Sequence, residues 1–314
     1  MLRGTLIVLV ATNLFAADHG LELRGQISGL DSGRWFQVTV FGVESPYRDS
    51  APVSSGGEFR FRSLAPGNYT VAVAGETGEV RRTVVVSAAL AGSDGVIHTK
   101  IPFTMAEASQ NGSGVVSVRQ LAIPKKANAL YADAQKRLAN RDAAGAVEDL
   151  QRAVKIAPEF SAGWNALGVI SFQGGDNAAS EQFFRRALEA EPGAFEPAVN
   201  LGGILLKKGS NQEALVYNLG AVQARPEDAL ANAQLGMTYF QHGDFALAER
   251  YLIAAKKLDP AHFSQPQLFL AEIYVRRGDR NRAAKELEEL LVLRPDGPSA
   301  ETIRREQRKL QASD

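Results

Sequence analysis

Ser161-Ala-Gly-Trp164-Asn-Ala-Leu167-Gly168-Val-Ile-Ser-Phe172-Gln-Gly-Gly175-Asp176 decides the fold of the second half of this 314-residue chain. Apolar residues recur at helical spacing as far as Phe172, and Gly175-Asp176 then ends that helix and caps the next. Outward from this stretch the pattern returns in phase. Pro158, Pro192, Pro226 and Pro260 lie 34 residues apart, and Pro295 follows after 35. A fixed period of this size signals a solenoid, because a single helix pair cannot bury its own apolar face without neighbours.

With proline counted as position 32, five units span 127–160, 161–194, 195–228, 229–263 and 264–297, the extra residue falling near His262. Position 8 then holds Ala134, Gly168, Gly202, Gly236 and Ala271, and position 20 holds Ala146, Ser180, Ala214, Ala248 and Ala283. Small residues at both positions let two helices cross closely. Leu167, Leu201, Leu235 and Leu270 occupy position 7, and the turns read Gly175-Asp176, Gly209-Ser210, Gly243-Asp244 and Gly278-Asp279. The first unit departs, with Asp133 at position 7 and Arg141-Asp142 at its turn.

These features resemble the tetratricopeptide repeat, whose best-known signature Trp164-x-x-Leu167-Gly168 reproduces. The resemblance covers about 170 residues and implies a non-catalytic, superhelical scaffold for another protein or a peptide. It also implies a concave surface lined by positions 2, 5, 9, 12 and 13. Position 12 is Leu138, Phe172, Leu206, Phe240 and Val275, an apolar stripe, and position 9 adds Gln135, Val169, Met237 and Glu272. Tyr131, Asn165, Asn200 and Gln234 lie beside them, the amides able to hold a peptide backbone. Tyr131 and Gln135 stand where a carboxylate clamp would have Lys and Asn, so the expected ligand is an extended peptide or apolar helix held by burial. The alternative is that the stripe seals neighbouring helices to one another.

The first half reads differently. Between Leu21 and Phe103 short alternating runs broken by Gly, Pro, Asn and Ser predict a small antiparallel β-sandwich over 18–105, so the fold class is a β-domain followed by an all-α solenoid. Strands are expected at Leu21–Ile27, Trp35–Phe41, Glu58–Arg62, Tyr69–Ala74, Val80–Val86 and Gly95–Pro102, with Glu58–Ala74 forming a hairpin through a Pro66-Gly67 turn. Phe59-x-Phe61-x-x-Leu64-x-Pro66-Gly67-x-Tyr69 resembles the carboxypeptidase regulatory-like domain, a transthyretin-like sandwich that is usually a non-catalytic accessory. A sugar site would draw on Trp35, Phe36 or Tyr47, although alternation sends Trp35 or Phe36 into the core. Carbohydrate binding by the sandwich is therefore the second functional reading. Residues 106–123 are a linker, or end in a further strand from Val115 to Ile123, and 299–314 a polar capping helix with Ile303 and Leu310 on the array.

Composition narrows the function. Thirty-five basic side chains balance 35 acidic ones, so the field that nucleic acid would require is missing. With no cysteine there is no disulfide, thiol nucleophile or thiolate metal site. Residues 1–17, with Arg3, an apolar run from Leu6 and small residues before Asp18, have the layout of a secretory signal peptide, which makes the expected protein exported, periplasmic or secreted and its mature chain free of a membrane span. His19, His98, His242 and His262 are scattered, and no phosphate loop or nucleophile elbow occurs. His242 and His262 are expected to be solvated in repeat loops. No cofactor or metal is implied.

Overall fold

The computed structural model describes residues 20–30, 35–76, 78–103 and 122–312. The expected signal peptide and most of the expected linker lie outside them. Seven strands precede eleven helices among the described residues: β1 Leu21–Ser28, β2 Phe36–Gly42, β3 Arg48–Pro52, β4 Glu58–Leu64, β5 Gly67–Gly75, β6 Gly78–Val86 and β7 Val96–Pro102. Two sheets, ordered β4-β1-β7 and β3-β2-β5-β6, enclose one core of Leu23, Val38, Phe61, Val71, Val73 and Ile101, which makes the domain a sandwich.

Three expectations change. β4 and β5 do not form a hairpin: β4 pairs with β1 and β5 with β2 and β6, so the chain crosses between sheets at 64–67. The crossing is set by Ser63, at a positive φ of 57°, and by Tyr69, whose hydroxyl donates to the Ala65 carbonyl at 2.9 Å and pins the corner. The sandwich is not wholly antiparallel, since β1 and β7 run parallel. β3 was not expected, because an edge strand reading Arg-Asp-Ser-Ala-Pro carries no apolar alternation. Between the two neighbouring candidates, Phe36 enters the core and Trp35 stays 60% exposed.

The helices pair as the period predicts: α1 Lys125–Ala139 with α2 Ala143–Ile156, α3 Ser161–Gln173 with α4 Asn177–Ala190, α5 Phe195–Lys208 with α6 Asn211–Ala224, α7 Ala229–His242 with α8 Phe245–Leu258, and α9 Pro266–Arg276 with α10 Arg280–Leu293. α11, Ala300–Gln311, closes the stack through buried Ile303 and part-buried Leu310. Asp142, Asp176, Asp244 and Asp279 each accept the amide three residues on, while Ser210 makes no such bond. Position 8 must be small: a Cβ on Gly168 would lie 2.5 Å from the Phe184 ring, and one on Gly236 2.7 Å from Leu252. Ser180, the polar exception at position 20, donates to the Gly168 carbonyl at 2.8 Å.

A recurring latch was not visible in the sequence. Trp164, Asn232 and Gln267, all at position 4, donate to the carbonyls of Pro158, Pro226 and Pro260 at 2.8, 2.7 and 2.8 Å. Each ties a first helix to the loop before it. Ile123 packs with Ala127, Ala157 and Phe160 on the first helix pair.

Candidate partner-binding surface

The row at position 12 divides into open and sealed members. Phe172 and Val275 are 40% and 45% exposed, whereas Leu138, Leu206 and Phe240 are half-buried. Phe240 meets Phe245 and Phe269 edge-on at 5.5 and 5.4 Å, sealing the fourth unit to the fifth. The Arg276 guanidinium caps Phe240 and Phe245 at 5.7 and 5.2 Å, and the Lys207 ammonium lies 5.0 Å from the Phe172 ring. Cations therefore rim the open part of the row.

The neighbouring candidates are largely engaged. Asn200 donates to Asn165 at 3.0 Å, Glu272 pairs with Arg276 at 2.8 Å, and Tyr131 packs against Phe160 with centroids 5.3 Å apart. Gln135, Val169 and Met237 are half-buried. Gln234 is buried and its Oε1 has no hydrogen-bond partner, so one amide acceptor is left over.

The sandwich rests on the array, which sequence reasoning missed. At the first two units the Arg141 guanidinium donates to the Ser63 carbonyl, and Gln173 Nε2 donates to the Gly42 carbonyl at 2.8 Å. At the last three units the contacts move to the loops between repeats. Arg81 approaches Glu196 at 3.8 Å, the Thr83 amide donates to Asp259 Oδ2 at 2.8 Å, and Arg294 bridges Asn68 and the Ala261 carbonyl, the latter at 2.8 Å. A cleft of about 90 Å³ remains along this seam, lined by Arg81 and Thr83 on one side and by Phe195, Asp228, Asp259 and Phe263 on the other.

Electrostatics in the seam follow burial. Burial pushes the Asp259 and Asp228 carboxyls up, against the hydrogen bonds that each accepts. At Glu196 burial acts the same way, but Arg225, 2.8 Å away, and Arg81 outweigh it and hold the carboxyl below its ordinary range. His262 is not the solvated side chain expected: it is 4% exposed, its ring tilted 31° against that of Phe263 with centroids 4.3 Å apart, and its Nδ1 lies 2.6 Å from the Ser264 hydroxyl. Burial, with Arg294 nearby, pushes its pKa down to about 3. His242, by contrast, is exposed as expected.

No group of His, Asp and Glu side chains among the described residues is arranged to hold a metal, and no described helix is long and apolar enough to cross a membrane.

The family model described as tetratricopeptide repeat matches residues 131–195 and 233–298. The chain is 25% identical over 162 residues to anaphase-promoting complex subunit 3 of Schizosaccharomyces pombe, covering 50% of this chain and 23% of that one. It is 38% identical over 77 residues to a TPR repeat-containing protein of Pseudomonas aeruginosa, covering 24% and 31%. It thus spans less than a third of either curated relative. Among solved structures, PilW, a type IV pilus biogenesis factor, superposes with a TM-score of 0.50 at 20% identity, covering 60% of this chain and 92% of that one. MamA from Desulfovibrio magneticus gives 0.49 at 23% identity, covering 57% and 100%. On the period, the paired helices and the matched segments, the array of this chain is built of tetratricopeptide repeats.

Proposed function

We propose that this chain is a non-catalytic scaffold that holds another protein through an extended peptide or apolar helix laid along the position-12 row. The observation that carries the reading is the pair of exposed apolar side chains, Phe172 and Val275, the second and last members of a row whose other members Leu138, Leu206 and Phe240 are half-buried. Burying such a pair stabilises a complex by roughly 2–4 kcal/mol at about 25 cal/mol per Å². Lys207 beside Phe172 favours a ligand with a carboxylate next to its apolar residues. Export to the cell envelope is part of this reading and rests on the layout of residues 1–17. The sandwich, with its pinned Tyr69 corner, is taken as a carboxypeptidase regulatory-like accessory.

The carbohydrate reading has less support. Phe36 is buried, and Tyr47 sits against Tyr69 at 6.0 Å with the Arg141 guanidinium 6.0 Å from its ring, which leaves Trp35 as the one exposed member of the three.

Affinity capture with mass spectrometry tests the scaffold. Wild type is expected to retain a defined partner that the Phe172→Ala/Val275→Ala double variant loses, with an unchanged melting temperature. Equal capture by the double variant would place the partner elsewhere.

A further inference from the structure

Repeat arrays are held by contacts between neighbours, so a residue that breaks the repeat rule without helping its neighbours has another task. Two such breaks stand out. The first is Arg141, which occupies the turn position that Gly175, Gly209, Gly243 and Gly278 hold in the other units and adopts their left-handed conformation, φ 61°. A non-glycine residue there costs on the order of 1 kcal/mol. Its guanidinium bonds the carbonyl of Ser63, itself a non-glycine residue at φ 57°. The second break is the 35-residue spacing from Pro260 to Pro295, whose loop contains Gln265, also at positive φ, and the seam residues His262 and Phe263. Among the described residues these three are the non-glycine positive-φ positions; Ser63 and Arg141 meet each other, and Gln265 follows the seam residues His262 and Phe263 in the same loop.

From this coincidence we infer that the array is a receptor for its own sandwich, with strand β6 as the recognised segment and the sandwich a displaceable cover over the inter-repeat loops of units three to five. The seam at units three to five lies toward the other end of the first helices from the position-12 row, while the Gln173 anchor sits directly beside Phe172 in that row; the inference holds whether or not the row binds a partner. Recognition is polar. Asp259 accepts the Thr83 amide on the edge of β6, Glu196 faces Arg81, and Arg294 holds Asn68 on the adjoining strand. Thr83 is 7% exposed and Ala72, on the same outer face of the sheet, 1%. The remaining cleft and the charged contacts describe an interface of the kind that opens, since polar interfaces within a chain permit domain motion. The external segment that fits the same surface is an extended strand edge carrying a basic residue followed by a free backbone amide, as Arg81, Arg82 and Thr83 do.

The test uses the full chain. Removing the outlying anchors with Arg141→Gly, Gln173→Ala and Arg294→Ala together leaves Asp259 and Glu196 in place. The variant is expected to show a larger radius of gyration by small-angle scattering and amide exchange of β6 and residues 259–265 at least about tenfold faster. A fluorescent peptide with the sequence of residues 78–86 should then bind the variant, not wild type, where the tethered strand competes at millimolar effective concentration. Adding Asp259→Ala should abolish that binding. Should the triple variant fail to fold by circular dichroism, Thr83→Pro in wild type removes the amide that Asp259 accepts and should speed exchange in residues 259–265. A variant as compact and protected as wild type, or a released one that ignores the peptide, overturns the inference.

Discussion

The two outer faces of the sandwich differ in a way that the alternation of its strands alone does not predict. The face of β3-β2-β5-β6 carries Thr39, Thr70, Ala72 and Thr83, short side chains two of which are buried, beside the longer Phe41, Arg48, Glu79 and Arg81. The face of β4-β1-β7 carries Arg24, Arg60, Arg62, His98 and Lys100 around Glu22 and Glu58, and all but Glu22 are exposed or nearly so. Glu22 gathers Arg24, Arg60 and Arg62, at 2.9 and 3.5 Å for the latter two, so this cluster spends its charge on itself in water. Short side chains let a second body approach a sheet, whereas long hydrated ones keep it off. The first face meets the array and the second meets solvent.

The largest effect should come from placing the same side chain on each face. Ala72→Arg forces a long cation into a closed position and is expected to cost about 3 kcal/mol, or to release the sandwich with a measurable increase in radius of gyration. Gln26→Arg, on the exposed face, should change stability by no more than about 0.5 kcal/mol. Similar melting temperatures for the two variants would break the contrast.

A smaller effect is tied to pH. His262 has a folded-state pKa of about 3 against an ordinary value of 6.5, so the unfolded chain binds more protons between those limits. Its contribution is complete above pH 6.5 and is lost as pH falls toward 3, amounting to about 2 kcal/mol by pH 5. Asp259 and Asp228, with raised pKa values, act in the opposite sense at the acid end. The measurement is therefore a difference: between pH 8 and pH 5 wild type should lose about 2 kcal/mol more than His262→Gln. Parallel curves would mean that the imidazole is as wet as sequence reasoning expects.

That expectation failed for an instructive reason. Helix pairs are legible because their cores are local: Leu167, Leu201, Leu235 and Leu270 repeat in phase, all buried, and the aspartate caps lie three residues from the amides they satisfy. The β-domain is less legible because its pairing is not local. Phe59 and Phe61 show the correct inward alternation, yet nothing in Glu58–Ala74 says that β4 joins β1 and β5 joins β2. The seam is the least legible. Asp259 and Thr83 are 176 residues apart, and neither residue type is unusual in its own surroundings. What the sequence did carry was the deviation of Arg141 and the extra residue near His262. Both were noted as irregularities of the repeat, when they mark where a second domain touches it. For the position-12 row, the sequence placed Phe240 and Phe172 in one stripe, and only the packing of Phe240 on Phe245 and Phe269 separates sealing from exposed members.

The smallest effect separates one arginine on each face. Arg81 pairs with Glu79 at 2.5 Å within β6 and reaches Glu196 across the seam at 3.8 Å, with its side chain 39% exposed. Arg24 pairs with Glu22 in a cluster that keeps Arg60 and Arg62 as alternative partners, and its side chain is 47% exposed. Exposure is thus nearly equal, and the difference lies in what each deletion leaves behind. Arg81→Ala leaves Glu196 with Arg225 alone and removes packing from the cleft, for an expected loss of about 1 kcal/mol after discounting for solvent screening. Arg24→Ala leaves Glu22 still paired, for a loss of at most about 0.5 kcal/mol. Raising salt to 1 M should shrink the Arg81 effect less than the Arg24 effect, because contacts inside the cleft are screened less than those on an open sheet. Equal losses with equal salt dependence would show that the two faces are equivalent surfaces and that the array does not distinguish them.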